Sequence, residues 1–219
     1  MAHGQTPHAD NQAWTYLGLL GGGSMLFAFS LDEDVQRARG TVYSPFLDRY
    51  IEPFGTYATL AGSMGFYGYS LMFKDEKAAK TSIALGKALV YSYAATNLLK
   101  LGFGRTRPFN QNQQNGSFWW QYDQSFGNQF AFPSGHTTYI CAASTVLIYA
   151  YPEQDWIKYS TIGLSVAVGF ERVYNGRHHL SDVVAGAILG YTIGRLSLVE
   201  WKTDVFFLPN GLAMQLTLD

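Results

Sequence analysis

Eight residues in three separated stretches have the chemistry to hold a small tetrahedral oxyanion and attack its central atom. Lys100 and Arg107 with Pro108 come first, Pro133–Ser134–Gly135–His136 second, and Arg172, His178 and Asp182 third. Arginine presents a planar fork to two anion oxygens, and lysine a compact point charge. Pro-Ser-Gly-His leading straight into an apolar run places free backbone N–H groups at a helix start, where anions bind. Gly135 admits close backbone approach, the Ser134 hydroxyl can donate as well, and His136 can hand a proton to a departing oxygen. In the third stretch Asp182 follows His178 by four residues, so the two side chains can meet on one helical face. A carboxylate on one ring nitrogen orients the imidazole and leaves the other lone pair free to attack phosphorus. Arg172 supplies a third cation for the equatorial oxygens, where transition-state charge gathers. Two histidines, three cations and one carboxylate suffice to move a phosphoryl group without a metal.

Each stretch also has a plainer reading. Lys100 complements the end of a helix dipole, with Arg107 a solvated loop charge. Ser134 is a simple N-cap with His136 on the first turn. Cys141 is a small buried hydrophobe. His179 reads as structural, and Glu171 as a solvated or paired carboxylate. It is the occurrence of all three stretches, in this order, that favours chemistry.

The elements that must carry these residues are helices. Ile83, Leu85, Leu89, Val90, Tyr93, Leu98 and Leu99 recur at helical spacing up to Lys100. Gly102 and Gly104 end that helix, and Pro108 keeps Arg107 out of helical backbone. A second helix is predicted over about 135–151. A third opens with Pro152 and Glu153 in its first turn and reaches about Val173. The last starts near Ser181 and Asp182, so that His178 and Asp182 share a face, and ends around Leu198. Earlier, the apolar Gly-rich segment Asn11–Leu31 is followed by a separate short polar helix over Asp32–Arg39, and Pro45 and Pro53 punctuate the next connection. Asn110–Phe130 is a polar loop carrying Phe118, Trp119, Trp120 and Tyr122, either an apolar lip for a lipid tail or packing for the loop itself. Val205–Leu208, the turn Pro209–Asn210–Gly211 and the alternating Leu212–Leu218 read as a β-hairpin tail over 203–219.

Composition fits one domain over 1–219 with a substantial core, preceded by a polar lead-in, Met1–Gln12, that is disordered or processed and lacks a basic signal-peptide start. Hydrophobic residues make up 47% and charged residues 14%, while the formal net charge is -1. No global basic field draws the chain to nucleic acid, so any anion site must be local. A single cysteine excludes an internal disulfide. Asn11–Leu31 and Pro53–Phe73 are long enough to span a bilayer but are diluted by Gly, Ser, Thr and Tyr, and the mean hydropathy is -0.03. The balance favours a globular helical protein with greasy helices, with a membrane-resting protein as the alternative.

Lys100-x6-Arg107-Pro108, Pro133-Ser134-Gly135-His136 and Arg172-x5-His178-x3-Asp182 together resemble the three-part signature of the type 2 phosphatidic acid phosphatase superfamily. This group takes in bacterial acid phosphatases, lipid phosphatases and vanadium haloperoxidases. The resemblance implies an all-α helical bundle with the stretches converging at one end. It implies His178 as the nucleophile that forms a phosphohistidine, Asp182 as its orienting partner, and His136 as general acid and then base. It assigns Lys100, Arg107, Arg172, Ser134 and the Gly135 amide to phosphate binding. No metal or organic cofactor is expected, although vanadate or phosphate would fit the site. The substrate would be a small-molecule or lipid phosphate, including a polyprenyl pyrophosphate, and the location the bacterial envelope, periplasmic or membrane-associated. Haloperoxidase activity, or a silent membrane-associated structural role, are the alternatives. The chain departs from the family pattern at Glu171, where a serine usually precedes the arginine.

Overall fold

The computed structural model describes residues 10–108, 130–199 and the strands at 201–208 and 211–218. Seven α-helices are present among the described residues: α1 Asp10–Arg39, α2 Pro45–Tyr50, α3 Tyr57–Phe73, α4 Glu76–Phe103, α5 Gly135–Ala150, α6 Asp155–Tyr174 and α7 Leu180–Ser197. The 3-10 turn Glu52–Gly55 links α2 to α3. Local chemistry explains many of the ends. Asp75 caps α4 by accepting the Ala78 N–H at 3.0 Å. Pro45 and Pro53 each occupy an opening position where no N–H is needed. Gly104 closes α4 at φ 53, a left-handed conformation glycine adopts without strain.

The α5 helix lies at the centre, packed by α4, α6 and α7, and α1 lies against α7. The core is built of small side chains: Ala84, Leu85 and Ala88 of α4, Ala142, Ala143 and Val146 of α5, and Ile193 of α7. Small residues let helices approach closely, and the α5–α7 contact is the extreme case. Gly186, Gly190 and Gly194 repeat every four residues and share one face of α7. A Cβ at Gly186 would stand 2.6 Å from the Ser134 carbonyl oxygen, and one at Gly190 would stand 2.5 Å from that of Thr138. Both distances are below any tolerable contact, so α7 meets α5 backbone to backbone. This sets the starts of the two helices side by side, and the Ser134 N–H donates to the Asp182 carbonyl at 2.9 Å.

The helical bundle expected from the sequence is present, with several differences of detail. The Asp32–Arg39 piece is continuous with the preceding segment in one 30-residue helix. Gly21–Gly22–Gly23 do not break it, although each glycine costs about 1 kcal/mol against alanine in isolation. Tertiary packing overrides that local preference: Gly21 rests on Ile188 of α7, and Ala28 and Asp32 are buried. The helix also begins at Asp10, inside the stretch read as a lead-in. Gly102 is helical and only Gly104 terminates α4. Pro152 and Glu153 form a turn ahead of α6, which starts at Asp155. His178 lies before α7, whose N-cap is His179. Beyond α7, β1 Trp201–Leu208 pairs antiparallel with β2 Gly211–Leu218, with Trp201 opposite Leu218. The aromatic loop residues Phe118, Trp119, Trp120 and Tyr122 lie outside the described residues. Among the described residues no helix is long and apolar enough to cross a membrane.

A methyl group at Gly190 would have to push α7 from α5. Gly190→Ala is expected to destabilise the protein by about 1–3 kcal/mol, measured as a lowered denaturant midpoint.

Candidate active site

The site forms where the start of α5, the approach to α7, the end of α4 and the end of α6 meet. Lys100, in the last turn of α4, brings its ammonium against Gly135; a Cβ there would lie 3.5 Å from Lys100 Nζ. Ser134 is wholly buried and its hydroxyl pairs with Thr137 Oγ1 at 2.9 Å, so it does not cap α5. The opening N–H groups of α5 therefore keep no side-chain acceptor from Ser134. Arg172 is buried in the last turn of α6. Its carbonyl oxygen accepts the backbone N–H groups of Arg177 and His178, each at 3.0 Å, which turns His178 back toward the pocket.

The His178–Asp182 pair forms, but not along one helical face, since His178 precedes the helix. Asp182 Oδ2 lies 3.6 Å from His178 Nδ1 and accepts the His179 backbone N–H at 2.8 Å. The first distance is a charge contact longer than a hydrogen bond. Nδ1 facing the carboxylate leaves Nε2 as the nitrogen with a lone pair to use. His179 is buried beside the same carboxylate and donates its backbone N–H to it.

All eight residues singled out from the sequence converge, and their charges act on one another. Burial lowers the Lys100 pKa to about 8; Arg107 pushes the same way and Asp182 opposes. Arg107 is lowered by burial and by Arg177 and Arg172. His136 is pushed down to about 3 by burial, then by Arg172, His178, Lys100 and Arg107. Burial also takes His178 down to about 4, against the pull of Asp182 and together with Arg107 and Lys100. Burial works against the Asp182 carboxylate, but His178 and Arg105 outweigh it and hold its pKa below the usual value. At neutral pH both imidazoles are therefore neutral. Burial first, and the crowd of cations after it, takes both rings below the ordinary histidine range.

Several residues without a sequence signal complete the site. Arg105, buried two positions before Arg107, donates to Asp182 Oδ1 at 2.5 Å, to Ser181 Oγ at 2.6 Å and to Asp32 Oδ2 at 2.7 Å. Asp32, from α1, also accepts the Ser181 N–H at 2.9 Å. Glu171 is fully buried, and it accepts a short hydrogen bond from Arg172 Nε and one of 3.0 Å from Asn175 Nδ2. It is thus the paired carboxylate of the two readings, and it fixes the Arg172 guanidinium. Only the crowding of charges beside the recognised arginines hinted at Arg105 and Glu171. Asp32, seventy residues and more from its partners, carried no hint.

The model of the PAP2 superfamily matches residues 81–204, more than half of the chain. The chain belongs to the PAP2 superfamily. It is 32% identical over 199 residues to a lipid A 1-phosphatase of Porphyromonas gingivalis, covering 88% of this chain and 39% of that protein. It is 30% identical over 131 residues to a lipid A 1-phosphatase of Rhizobium etli, covering 60% of this chain and 52% of the relative. The chain thus spans about half or less of the relatives it matches. In fold it is similar to a transmembrane PAP2-type phosphatidylglycerolphosphate phosphatase from Bacillus subtilis, with a TM-score of 0.54, 19% identity, and coverage of 83% of this chain and 94% of the other.

The Lys100 titration gives a pH dependence. Lys100 is charged below about pH 8 and neutral above it in the empty site. Inorganic phosphate should therefore bind with a dissociation constant that rises as pH increases through about 8, by roughly tenfold per unit well above it. Calorimetric titration should show that step in the wild type and not in Lys100→Met.

Proposed function

We propose that this PAP2 chain is a phosphatase that hydrolyses phosphate monoesters of lipids through a phosphohistidine, without a metal. The observation that carries the reading is the convergence of Lys100, Arg107 and Arg172 with two neutral imidazoles at the paired starts of α5 and α7. The three cations, the Ser134 hydroxyl and the Gly135 amide take the phosphate oxygens. His178 Nε2 attacks phosphorus, the bond from phosphorus to the ester oxygen breaks, and its electron pair stays on that oxygen. His136 gives that oxygen its proton. Asp182 offsets the positive charge that grows on His178. A water molecule then attacks phosphorus as His136 takes its proton, the bond from phosphorus to His178 Nε2 breaks with its electron pair returning to that nitrogen, and inorganic phosphate leaves. Charge neutralisation falls to fixed guanidinium and ammonium groups, which need no reorganisation during the reaction.

Lipid phosphates are the substrate class best supported. The relatives named above are phosphatases of lipid A, and the bundle presents large apolar side chains outward. Leu26 and Phe27 of α1, Met64 and Met72 of α3, and Val90 and Leu98 of α4 are all more than 60% exposed. Apolar surface on this scale suits contact with lipid. We accordingly place the protein at a membrane of the bacterial envelope, with the site open to lipid headgroups.

His178→Ala and His136→Ala should each lower turnover of a lipid phosphate by about a thousandfold or more while the helical circular dichroism is retained. Acid quenching of the wild type during turnover should trap a phosphohistidine, absent in His178→Ala. Full activity in His178→Ala would refute the mechanism.

A further inference from the structure

The 3-10 turn Glu52–Gly55 is seated directly on His136. Glu52 Oε1 lies 3.0 Å from His136 Nε2 and 3.7 Å from Arg172 Nη2. At the other end of the turn, a Cβ on Gly55 would lie 2.6 Å from His136 Cβ and 2.7 Å from Cδ2, so only glycine lets this backbone touch the ring. Pro53 stiffens the turn between them. The imidazole is thus gripped along one edge by backbone and at one nitrogen by a carboxylate. Both gripping residues lie ahead of residues 81–204, the part of the chain matched to the family.

The charges around His136 show what such a grip would do. Lys100 from α4, Arg107 from the segment after it, Arg172 from α6 and His178 from the approach to α7 all oppose a proton on this ring. Glu52 is the carboxylate that touches it. We propose that Glu52, held in place by the turn that Gly55 lets dock, is a positioning residue that makes His136 an effective general acid. The carboxylate accepts Nε2–H and stabilises the imidazolium, which leaves Nδ1–H to be given to the ester oxygen. As the bond from phosphorus breaks, that oxygen takes the Nδ1 proton, and His136 returns to a neutral ring still bonded through Nε2–H to Glu52. The inference rests on the phosphatase reading above and adds to it the group that controls the proton.

The test compares two phosphate monoesters, using the full chain and reading kcat/KM, which reports transfer to His178. p-Nitrophenyl phosphate releases a stable phenolate and hardly needs a proton, whereas a simple alkyl phosphate must have one. With Glu52→Gln, kcat/KM for the alkyl ester should fall by roughly tenfold or more and that for the nitrophenyl ester by less than about threefold. On the alkyl ester the alkaline limb of the pH profile should move about one unit lower, because loss of an opposite charge disfavours the imidazolium. Glu52→Asp, which keeps the charge, should restore most of that limb. Equal losses on both esters, an unmoved limb, or no recovery with aspartate would overturn the proposal. So would tighter phosphate binding and faster turnover in Glu52→Gln, since Glu52 would then be a mere occupant of the anion pocket. A wild type that hydrolyses neither ester would instead refute the phosphatase reading, and this inference with it.

Discussion

A single buried guanidinium ties the structure together at the point where its chemistry lies. Arg105 bridges Asp32 of α1 and Asp182 of α7 and also contacts Ser181, with almost no access to solvent. Burying three charges is costly unless every oxygen and nitrogen is engaged. Here the Ser181 N–H and hydroxyl go to Asp32, and the His179 N–H goes to Asp182. Removing one member of such a group costs about 3–5 kcal/mol, because it strands its partners. The arrangement also holds the Asp182 carboxylate ionised and aimed at His178. One interaction therefore closes the bundle and sets the position of the carboxylate that faces His178, so that packing and site geometry are coupled at this end of the molecule.

Around that anchor cations crowd one another. Lys100, Arg107 and Arg172 are partly or wholly buried near one another, and each lowers the proton affinity of some neighbour. A tetrahedral dianion would relieve this repulsion, which is the physical basis on which the proposed phosphate site would select anions in a chain of nearly neutral charge. Glu171 plays a different part. It lies behind Arg172, bonded to it and to Asn175, and Asn175 Oδ1 in turn accepts the Ser44 N–H at 2.8 Å. The departure from the usual serine therefore ties the end of α6 to the start of α2.

The remainder of the bundle is arranged to allow this crowding. Alanine, glycine, serine and threonine fill its interior, and the large apolar residues point outward along α1, α3, α4 and α6. Close helix approach in the middle is what lets two helix starts and two helix ends share one small volume. The large apolar faces are then left on the outside of the bundle.

Much of the site was legible before any coordinates. The spacing of Lys100 and Arg107, Pro-Ser-Gly-His before an apolar run, and Arg172, His178 and Asp182 each carry a local chemical meaning, and those eight residues do converge. The helices α4, α5, α6 and α7 were legible as well, because their apolar periodicity is local information. Other features were not. The unbroken α1 runs through three glycines because its contact with α7 outweighs their propensity. His178 faces Asp182 from outside the helix because the Arg172 carbonyl captures its backbone. Glu52 reaches His136, and Asp32 reaches Arg105, across 84 and 73 positions of the chain. The chain's own order of residues determined which groups would carry the chemistry, since residue type and short spacing set charge and helix ends. Which carboxylate holds which base was decided only by tertiary packing, because it depends on how closely glycine-faced helices meet.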